Sequence, residues 1–462
     1  MYFQAFYLGC LAHASYLFGS EGQAAVVDPQ RDVEIYLDAA RQQGLQIRHI
    51  FETHLHADFV SGHNELAART GATIYMGKAA GAMFPHVAVT DGFEVGVGRA
   101  RVTILETPGH TPESCCFVIT DEEKSPAPWA VLTGDTLFIG DVGRPDLSTT
   151  HTPQQLAGLL YDSLHGKLLT LRDEVLVYPA HGAGSLCGRN MRAERSSTIG
   201  TERLTNYALQ IKGRDEFVRQ MTSNLPARPD YFLEDAAINR AGATALSELP
   251  ALQPLAPAAL RKLFDSGVVA LDVRPTDQFA AGHVPGSINI TLSGQFASWA
   301  GAVLGLSSRP VLIADTEDQL TEARMRLARV GIEDLCGYLD GGVEGWKCAG
   351  FELAQLPQMT VHELSSRLGK GDLRVLDVRR QGEWDAGHIA DADWYPLDRF
   401  KAALPAVERD ATIAVHCKSG YRSMIAASLL QRAGYNVINV IGGFDAWEQA
   451  QLPKAATAAV GA

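Results

Sequence analysis

The second half of the chain repeats itself, and this repeat limits how the 462 residues can fold. A Leu-Asp-Val-Arg sequence followed by Gly-His occurs within residues 271–283 and again, about 100 residues later, within 376–388. Each copy ends on a Gly-Gly pair followed by a tryptophan, Trp346 in the first and Trp447 in the second. We therefore predict two tandem copies of one small α/β domain.

The first half follows a different pattern. β-rich runs at 24–28 and 101–105 alternate with helical stretches such as 33–43, which predicts an α/β domain with buried sheets. A stretch rich in proline and alanine, residues 224–257, is the predicted boundary between the halves. Because one hydrophobic core stops growing at about 250–300 residues, several domains are required. The predicted domains are 1–245, 257–352 and 358–456.

The composition restricts the partners. A formal net charge of −13 leaves no broad basic face for nucleic acid or for an anionic membrane surface. The apolar start, residues 1–18, contains His13 and has no cationic beginning, so we interpret it as a strand hairpin and not as a signal peptide. Seven cysteines without a Cys-x-x-Cys pair indicate a reducing compartment. We expect a cytoplasmic homo-oligomer that binds neither nucleic acid nor membrane.

Histidine and aspartate side chains follow four apolar runs of the first domain, each beside Gly or Pro. They are His54, His56, Asp58, His110, Asp135 and His181. Imidazole and carboxylate groups at the ends of strands are common metal ligands. A single segment of this kind usually holds a polar residue that forms its hydrogen bonds within its own turn. Four segments in order predict a metal site in one cleft.

The ordered set His-x-His-x-Asp, Gly-His, Gly-Asp and Ala-His resembles the metallo-β-lactamase superfamily over about residues 1–240. Within it, residues 53–58, 109–114, 134–140 and 143–147 look like the persulfide dioxygenase branch. The resemblance implies an αββα sandwich followed by the two smaller domains. It also implies metal ligands His54, His110 and Asp135, with His56, Asp58 and His181 orienting ligands or bonding to substrate, although His56 is itself a ligand in the hydrolases.

Phe59 departs from the two-metal pattern, in which a histidine directly follows the aspartate of the motif. A phenyl ring has no lone pair, so we predict one metal ion per chain. Two imidazoles and one carboxylate form the facial triad that holds Fe(II) with open positions for O2 and substrate. The resemblance thus implies oxidation of a low-molecular-weight thiol persulfide by O2 to sulfite and thiol.

Two other functions stay open from the sequence. One is a zinc-dependent thioester hydrolase, similar to glyoxalase II and carrying rhodanese appendages. The other is a sulfur carrier or sensor whose metal is structural.

Three arginines and one cysteine of the first domain are candidates for the thiol site. Arg144 and Arg189, with Arg192 nearby, can accept a carboxylate or phosphate, and surface arginines bonded to water are the alternative. Cys187, in a glycine-rich loop beyond His181, is a candidate to accept or relay sulfane sulfur. A small buried apolar residue is the other interpretation of this cysteine.

A second reactive group is predicted in the last domain. The apolar strand 412–416 leads into Cys417, before a helical run at 424–432. A cysteine at a strand-to-helix turn faces the positive end of the helix dipole, and Lys418 and Arg422 add charge that favours the thiolate.

Residues 358–456 resemble a rhodanese domain, and the six-residue loop is similar to that of sulfurtransferases, so the resemblance implies that Cys417 carries a persulfide. The first copy, 257–352, has the same frame, but its loop at 311–318 is acidic and contains no cysteine. We predict that it is a scaffold or docking module.

The whole order resembles bacterial persulfide dioxygenase–rhodanese fusion proteins. It implies sulfide detoxification, in which Cys417 passes sulfur to sulfite to give thiosulfate, or carries out the reverse reaction.

Overall fold

The computed structural model describes residues 1–223, 225 and 227–455. These form two compact units, Met1–Leu249 with Ala328–Gly331, and Pro250–Leu327 with the chain from Ile332 onward. The units divide inside the predicted boundary 224–257.

Three positions named in the predicted domain bounds and linker, Asn224, Pro226 and Ala456, lie outside the described residues. The three domain ranges stay predictions.

The first unit contains fourteen of the described strands and seven of the α-helices. The strands are β1 (Tyr2–Leu8), β2 (His13–Ser20), β3 (Gln23–Val27), β4 (Gln46–Glu52), β5 (Thr73–Gly77), β6 (Val87–Val89), β7 (Glu94–Val97), β8 (Ala100–Glu106), β9 (Cys115–Asp121), β10 (Ala130–Gly134), β11 (Leu137–Phe138), β12 (Asp141–Val142), β13 (Leu176–Pro179) and β14 (Ser197–Thr198). The helices are α1 (Glu34–Gln42), α2 (His63–Thr70), α3 (Pro153–Gly166), α4 (Ile199–Thr205), α5 (Tyr207–Gln210), α6 (Arg214–Thr222) and α7 (Tyr231–Ala241).

Two six-stranded sheets, ordered β1-β2-β3-β4-β5-β6 and β14-β13-β10-β9-β8-β7, pack face to face. Side chains alternate along a strand, so β3 sends Val27 toward Phe117 of the other sheet and Val26 toward Tyr36 of α1. On the outer face of the second sheet, Leu160 of α3 packs in a third apolar cluster. The predicted αββα sandwich is confirmed, and β1 pairs with β2 as the predicted hairpin.

Helix α3 supports the loop before β9. It begins with a capping box, in which Thr152 and Gln155 bond each other's backbone N–H groups, and Pro153 fills the first helical position. Gly109 of the loop lies so close that a Cβ there would overlap the backbone of Leu160. Glycine at 109 therefore permits the direct contact between loop and helix.

The second unit contains ten described strands and nine α-helices. The strands are β15 (Pro254–Leu255), β16 (Ala270–Asp272), β17 (Ile288–Asn289), β18 (Val311–Ile313), β19 (Gly337–Leu339), β20 (Gln358–Met359), β21 (Arg374–Asp377), β22 (Asp393–Trp394), β23 (Thr412–His416) and β24 (Asn436–Val440). The helices are α8 (Pro257–Asp265), α9 (Thr276–Ala281), α10 (Phe296–Leu304), α11 (Glu317–Ala328), α12 (Gly342–Cys348), α13 (Val361–Arg367), α14 (Gln381–Ala386), α15 (Tyr421–Arg432) and α16 (Gly443–Gln449).

The sequence repeat is a structural repeat. Each copy has a five-stranded sheet, ordered β15-β19-β18-β16-β17 in the first copy and β20-β24-β23-β21-β22 in the second. Every pair in both sheets is parallel. The repeated tryptophans are buried, and their indole N–H groups donate to the carbonyls of Glu352 and Pro453 at 3.0 and 2.9 Å. Two rhodanese-like α/β frames are thus present, as predicted.

None of the seven cysteines, all of them described, is in a disulfide. Across residues 1–223, 225 and 227–455, the helices are too short or too polar to cross a bilayer.

We expect Gly109→Ala to lower the free energy of unfolding of the first unit by about 2 kcal/mol, because the added methyl group has to displace α3. Calorimetry of the full chain measures this effect. Gly166→Ala is the matched control, since a Cβ at that end of α3 meets no atom within 4 Å. Equal stability of the two variants would show that the loop and α3 separate without cost.

Candidate metal centre and thiol site

Three loops bring His54, His110 and Asp135 together. The loops follow β4, β8 and β10, so both sheets contribute to the centre. Nε2 of His110 lies 3.3 Å from Oδ2 of Asp135, and Nε2 of His54 lies 3.9 Å from the same oxygen. All three side chains are buried, and their nearest ligand atoms lie within 4.8 Å of one another.

The rings of His54 and His110 each form a hydrogen bond through Nδ1, which leaves the lone pair of Nε2 for a metal ion. Nδ1 of His54 contacts the Thr53 hydroxyl at 2.9 Å, and Nδ1 of His110 donates to the Arg144 carbonyl at 3.0 Å. Nε2 of His110 and Oδ2 of Asp135 are buried without a hydrogen-bond partner among the described residues. Burial lowers the pKa of both histidines, so the rings are neutral and can ligate. This donor set fits a divalent metal ion.

His181 fixes the other oxygen of Asp135. Its Nδ1 bonds Oδ1 of Asp135 at 2.8 Å, and its Nε2 lies 3.0 Å from Oδ2 of Asp58. Burial opposes the charge of His181, but Asp135 and Asp58 raise its pKa well above the usual value. Although burial alone would raise it, the pKa of Asp135 is held well below its usual value by His181 and His110. Asp135 is therefore a carboxylate whose Oδ2 faces the centre.

Asp28 orients His54 through Thr53. The carboxylate of Asp28 accepts the Thr53 backbone N–H at 2.7 Å and the Thr53 hydroxyl at 2.9 Å. Because the hydroxyl gives its single proton to Asp28, it accepts one from Nδ1 of His54. This fixes the tautomer with the lone pair on Nε2. Sequence reasoning missed Asp28, although it ends the apolar run 24–28.

Phe59 packs between two histidines, with its ring 4.4 Å from that of His56 and 4.2 Å from that of His13. His56 points to acidic partners, with Nε2 3.2 Å from Oδ1 of Asp28 and 3.5 Å from Oε2 of Glu52.

His56, Asp58 and His181 also converge within 4.8 Å, in a second group of potential ligands. His13 is fully buried beside them and was missed, because in the sequence it only begins a strand.

Asn239 of α7 is another residue that sequence reasoning missed. Its side-chain amide donates to the carbonyls of His56 and Phe59, both at 2.8 Å, and its oxygen accepts the Ser61 N–H at 2.8 Å. α7 lies inside the stretch predicted as a boundary. A segment expected to be a domain boundary therefore holds the loop that carries His54 and His56.

The arginines predicted to bind the thiol have partners within the unit. The guanidinium of Arg144 bonds both carboxylate oxygens of Asp146, at 2.6 and 2.8 Å. The side chain of Arg189 donates to the Met221 carbonyl at 2.8 Å, and that of Arg192 pairs with Glu202 at 2.9 Å. Their role in binding substrate stays a prediction.

Cys187 lies next to the centre. Its sulfur groups with Asp135 and His181 within 4.8 Å, and its side chain is buried. Burial, together with Asp58 and Asp135, raises the pKa of this thiol well above the usual value. The raised pKa disfavours the thiolate that a sulfur relay requires, and the role of Cys187 in sulfur transfer stays a prediction.

Cys417 follows β23 directly and precedes α15, as the sequence predicted. Its sulfur accepts the Gly420 N–H at 3.2 Å. The guanidinium of Arg422 forms two bonds of 2.6 Å to Glu383, whose pKa it lowers although burial alone would raise it. Lys418 is exposed at the loop. Sequence reasoning assigned no role to Glu383, which fixes the orientation of Arg422.

The Cys-less copy has the same geometry around an alanine. β18 ends at Ile313 opposite Asp272, just as β23 ends at His416 opposite Asp377, so Ala314 takes the place of Cys417. A glycine with positive φ lies against the carbonyl of this residue in both copies, at 342 and 443. The frame is retained, and the nucleophile is absent.

Comparisons with known proteins agree with this architecture. The family model described as the metallo-beta-lactamase superfamily matches residues 8–181, and the rhodanese-like domain model matches 256–349 and 360–450. A solved structure of a metallo-beta-lactamase from Staphylococcus aureus subsp. aureus COL is 32% identical, with a TM-score of 0.66, over 73% of this chain and 98% of that one.

Two kinds of curated relative are similar to the first unit. The mitochondrial persulfide dioxygenase ETHE1 of Bos taurus is 32% identical over 222 residues, which are 46% of this chain and 77% of the relative. A hydroxyacylglutathione hydrolase of Rhodospirillum rubrum is 33% identical over 162 residues, 35% of this chain and 57% of that protein. With two rhodanese-like copies after the lactamase fold, the chain belongs to the persulfide dioxygenase–rhodanese fusion family of the metallo-β-lactamase superfamily.

Proposed function

We propose that the first unit is a persulfide dioxygenase that uses one Fe(II) ion held by His54, His110 and Asp135. The observation that carries the proposal is this set of two neutral imidazoles and one carboxylate, with Phe59 where a ligand of a second metal would stand. In the overall reaction, one persulfide RSSH, one O2 and one water give one thiol RSH, one sulfite and two protons. The terminal sulfur is oxidised and O2 is reduced.

When bound, Fe(II) supplies open positions at which O2 and the persulfide sulfur meet and exchange electrons. The chain's own residues hold the ligands in order. Asp28 and Thr53 fix the tautomer of His54, and the Arg144 carbonyl fixes that of His110. His181 occupies Oδ1 of Asp135, so Oδ2 is left to face the metal.

For the second unit we propose sulfur transfer through Cys417. The thiolate attacks the outer sulfur of thiosulfate, a bond forms to Sγ, the S–S bond of thiosulfate breaks and sulfite leaves. In the reverse direction, sulfite attacks the outer sulfur of the Cys417 persulfide and thiosulfate forms. Sulfite is also the proposed product of the first unit. The Gly420 N–H and the adjoining end of α15 stabilise negative charge on the sulfur. We propose a cytoplasmic setting, which the seven free thiols support.

Thioester hydrolysis with zinc is the second candidate. The similarity to hydroxyacylglutathione hydrolases favours it, as does the convergence of His56, Asp58 and His181. The buried Phe59 ring beside His56 counts against it, because it offers no ligand atom.

We expect O2 uptake with sulfite formation when the protein, loaded anaerobically with Fe(II), receives a glutathione or coenzyme A persulfide. His110→Ala removes one of three ligands and is expected to abolish both signals. His86→Ala, at a histidine whose Nδ1 bonds the Phe84 carbonyl, is the matched control and should retain activity. Thioester hydrolysis by zinc-loaded protein, without O2 uptake on any persulfide, would favour the hydrolase.

Thr53→Val keeps the shape of the side chain and removes the hydroxyl between Asp28 and His54. We expect metal affinity to fall about 10- to 100-fold. Competition with a chelator measures the affinity. Thr103→Val, at a β8 threonine whose hydroxyl bonds Glu94, is the control. Unchanged affinity in Thr53→Val would refute the positioning role of Asp28.

Cys417→Ser is expected to eliminate sulfite release from thiosulfate, because an alkoxide is not available at neutral pH to accept the sulfane sulfur. Cys348→Ser, at an exposed cysteine of the Cys-less copy, should behave like the unchanged protein. The assay follows sulfite after adding thiosulfate and cyanide. Retention of activity in Cys417→Ser would show that another thiol carries out the transfer.

A further inference from the structure

The first unit contains a short segment from far along the chain. Residues Ala328–Gly331 belong to this unit together with Met1–Leu249, although in the sequence they directly follow α11 of the Cys-less copy. Arg329 of this segment is only 7% exposed, and burying an arginine is unfavourable unless its guanidinium has partners. The bonds of Arg329 therefore indicate which parts of the first unit the segment holds.

The backbone of Arg329 holds the loop that carries the metal ligand His54. The Arg329 carbonyl accepts the Val60 N–H at 2.7 Å. Val60 and the next residue, Ser61, are buried, and the Ser61 N–H donates to the side chain of Asn239 at 2.8 Å. The end of this loop is thus bonded by two residues from distant parts of the sequence, Arg329 and Asn239.

The guanidinium of Arg329 holds a second loop, which follows β3. Its Nε and Nη2 both donate to one oxygen, Oδ1 of Asp32, at 3.1 and 2.9 Å. This loop begins at Asp28, whose carboxylate fixes the tautomer of His54 through Thr53. Arg329 therefore joins the loop of a metal ligand to the loop of the residue that orients this ligand.

The two loops also contact each other directly. The Ser61 hydroxyl and the Gly62 N–H both donate to the Pro29 carbonyl, each at 3.0 Å. A Cβ at position 62 would lie 2.1 Å from the Gln30 carbonyl oxygen, so the backbones are as close as a glycine allows. Because the loops are in contact, a displacement of the loop held through Asp32 is transmitted to the loop of His54.

Arg329 reaches a third loop of the first unit. Its Nη1 donates to the sulfur of Cys10 at 3.7 Å, in the turn between β1 and β2. Strand β2 begins at His13, whose buried ring lies 5.5 Å from the ring of His56. All three loops that Arg329 contacts therefore lead to residues around the metal centre.

We propose that Arg329 is a positioning residue of the metal centre, and that the segment after α11 of the Cys-less copy is a required part of the first unit. The inference rests on the proposed binding of one metal ion by His54, His110 and Asp135. Arg329 acts through the loops, by keeping Asp28 in place against Thr53 so that the ring of His54 stays oriented toward Asp135. Ligands that are held in place before binding give a higher metal affinity.

The test measures metal affinity in the full chain by competition of a chelator for Fe(II) and, separately, for Co(II). We expect Arg329→Met to weaken binding of both ions about tenfold, as is typical for residues that orient metal ligands. Arg329→Lys should recover most of this affinity, because both N–H groups donate to a single oxygen, which one ammonium group can also bond. The absorption spectrum of bound Co(II), which depends on ligand geometry, should change in Arg329→Met and be restored in Arg329→Lys.

Arg374→Met is the matched control. Nε and Nη2 of Arg374 also donate to one carboxylate oxygen, Oδ2 of Asp393, at 3.0 and 2.6 Å, but in the second unit. This variant should bind both ions like the unchanged protein.

A second variant covers a failure of Arg329→Met to fold. Asp32→Asn keeps the shape of a side chain that is 19% exposed and removes the charge that accepts both bonds. We expect it to weaken metal binding about threefold or more. The double variant should bind no more weakly than Arg329→Met alone, because the two residues act as one pair.

Unchanged metal affinity and an unchanged Co(II) spectrum in folded Arg329→Met, or in Asp32→Asn, would overturn the inference. A lower unfolding temperature without a loss of metal affinity would do the same, because it would leave Arg329 a structural role alone. The proposed function fails by a different result. Protein whose Fe(II) binding depends on Arg329, but which consumes no O2 with any persulfide, would refute the dioxygenase and support the positioning role.

Discussion

The carboxylate of Asp135 is buried beside three imidazole rings, and the first unit is built so that this charge always has partners. An unpaired buried charge is strongly destabilising. The folded unit therefore has to place His54, His110 and His181 around this carboxylate. The two sheets accomplish this by ending their strands at one place. Gly134, with φ of +51°, leaves no room for a Cβ against Thr53, and the loops of the two sheets thereby come into contact.

Much of this centre could be predicted from local sequence. His54, His110 and Asp135 each follow an apolar run, and the periodicity that predicts a strand also predicts where it ends. The residues that hold the ligands were not predictable in this way. Asn239 bonds the carbonyl of a residue 183 positions earlier, and nothing in its own segment indicates that contact. Asp28 lies at the end of a predicted strand, but its bond to Thr53 depends on the pairing of β3 with β4.

The candidate arginines show another limit of sequence reasoning. Their positive charge is evident from the sequence, but the sequence does not show which internal groups their side chains bond. Asp146, two residues after Arg144, accepts two bonds from its guanidinium, and the Leu186 carbonyl accepts another at 3.2 Å. The sequence contains both residues, yet only the folded loop shows that the pair forms. In the second unit, Glu383 binds Arg422 across 39 positions, and this pairing fixes the guanidinium at the start of α15, close to Cys417.

Bonds within a rhodanese-like copy and bonds between the two copies join residues at very different separations along the chain, and this has a consequence for the order of folding. Arg274 bonds Asp272, and Arg379 bonds Asp377, across two positions within each copy, and each apolar core uses described residues of one copy alone. The bond from His283 to Gln431 spans 148 positions. Because long loops cost more entropy to close, we expect each copy to acquire its frame before the two copies join. We therefore expect the contacts between the copies to be the last to form and the first to be lost on unfolding.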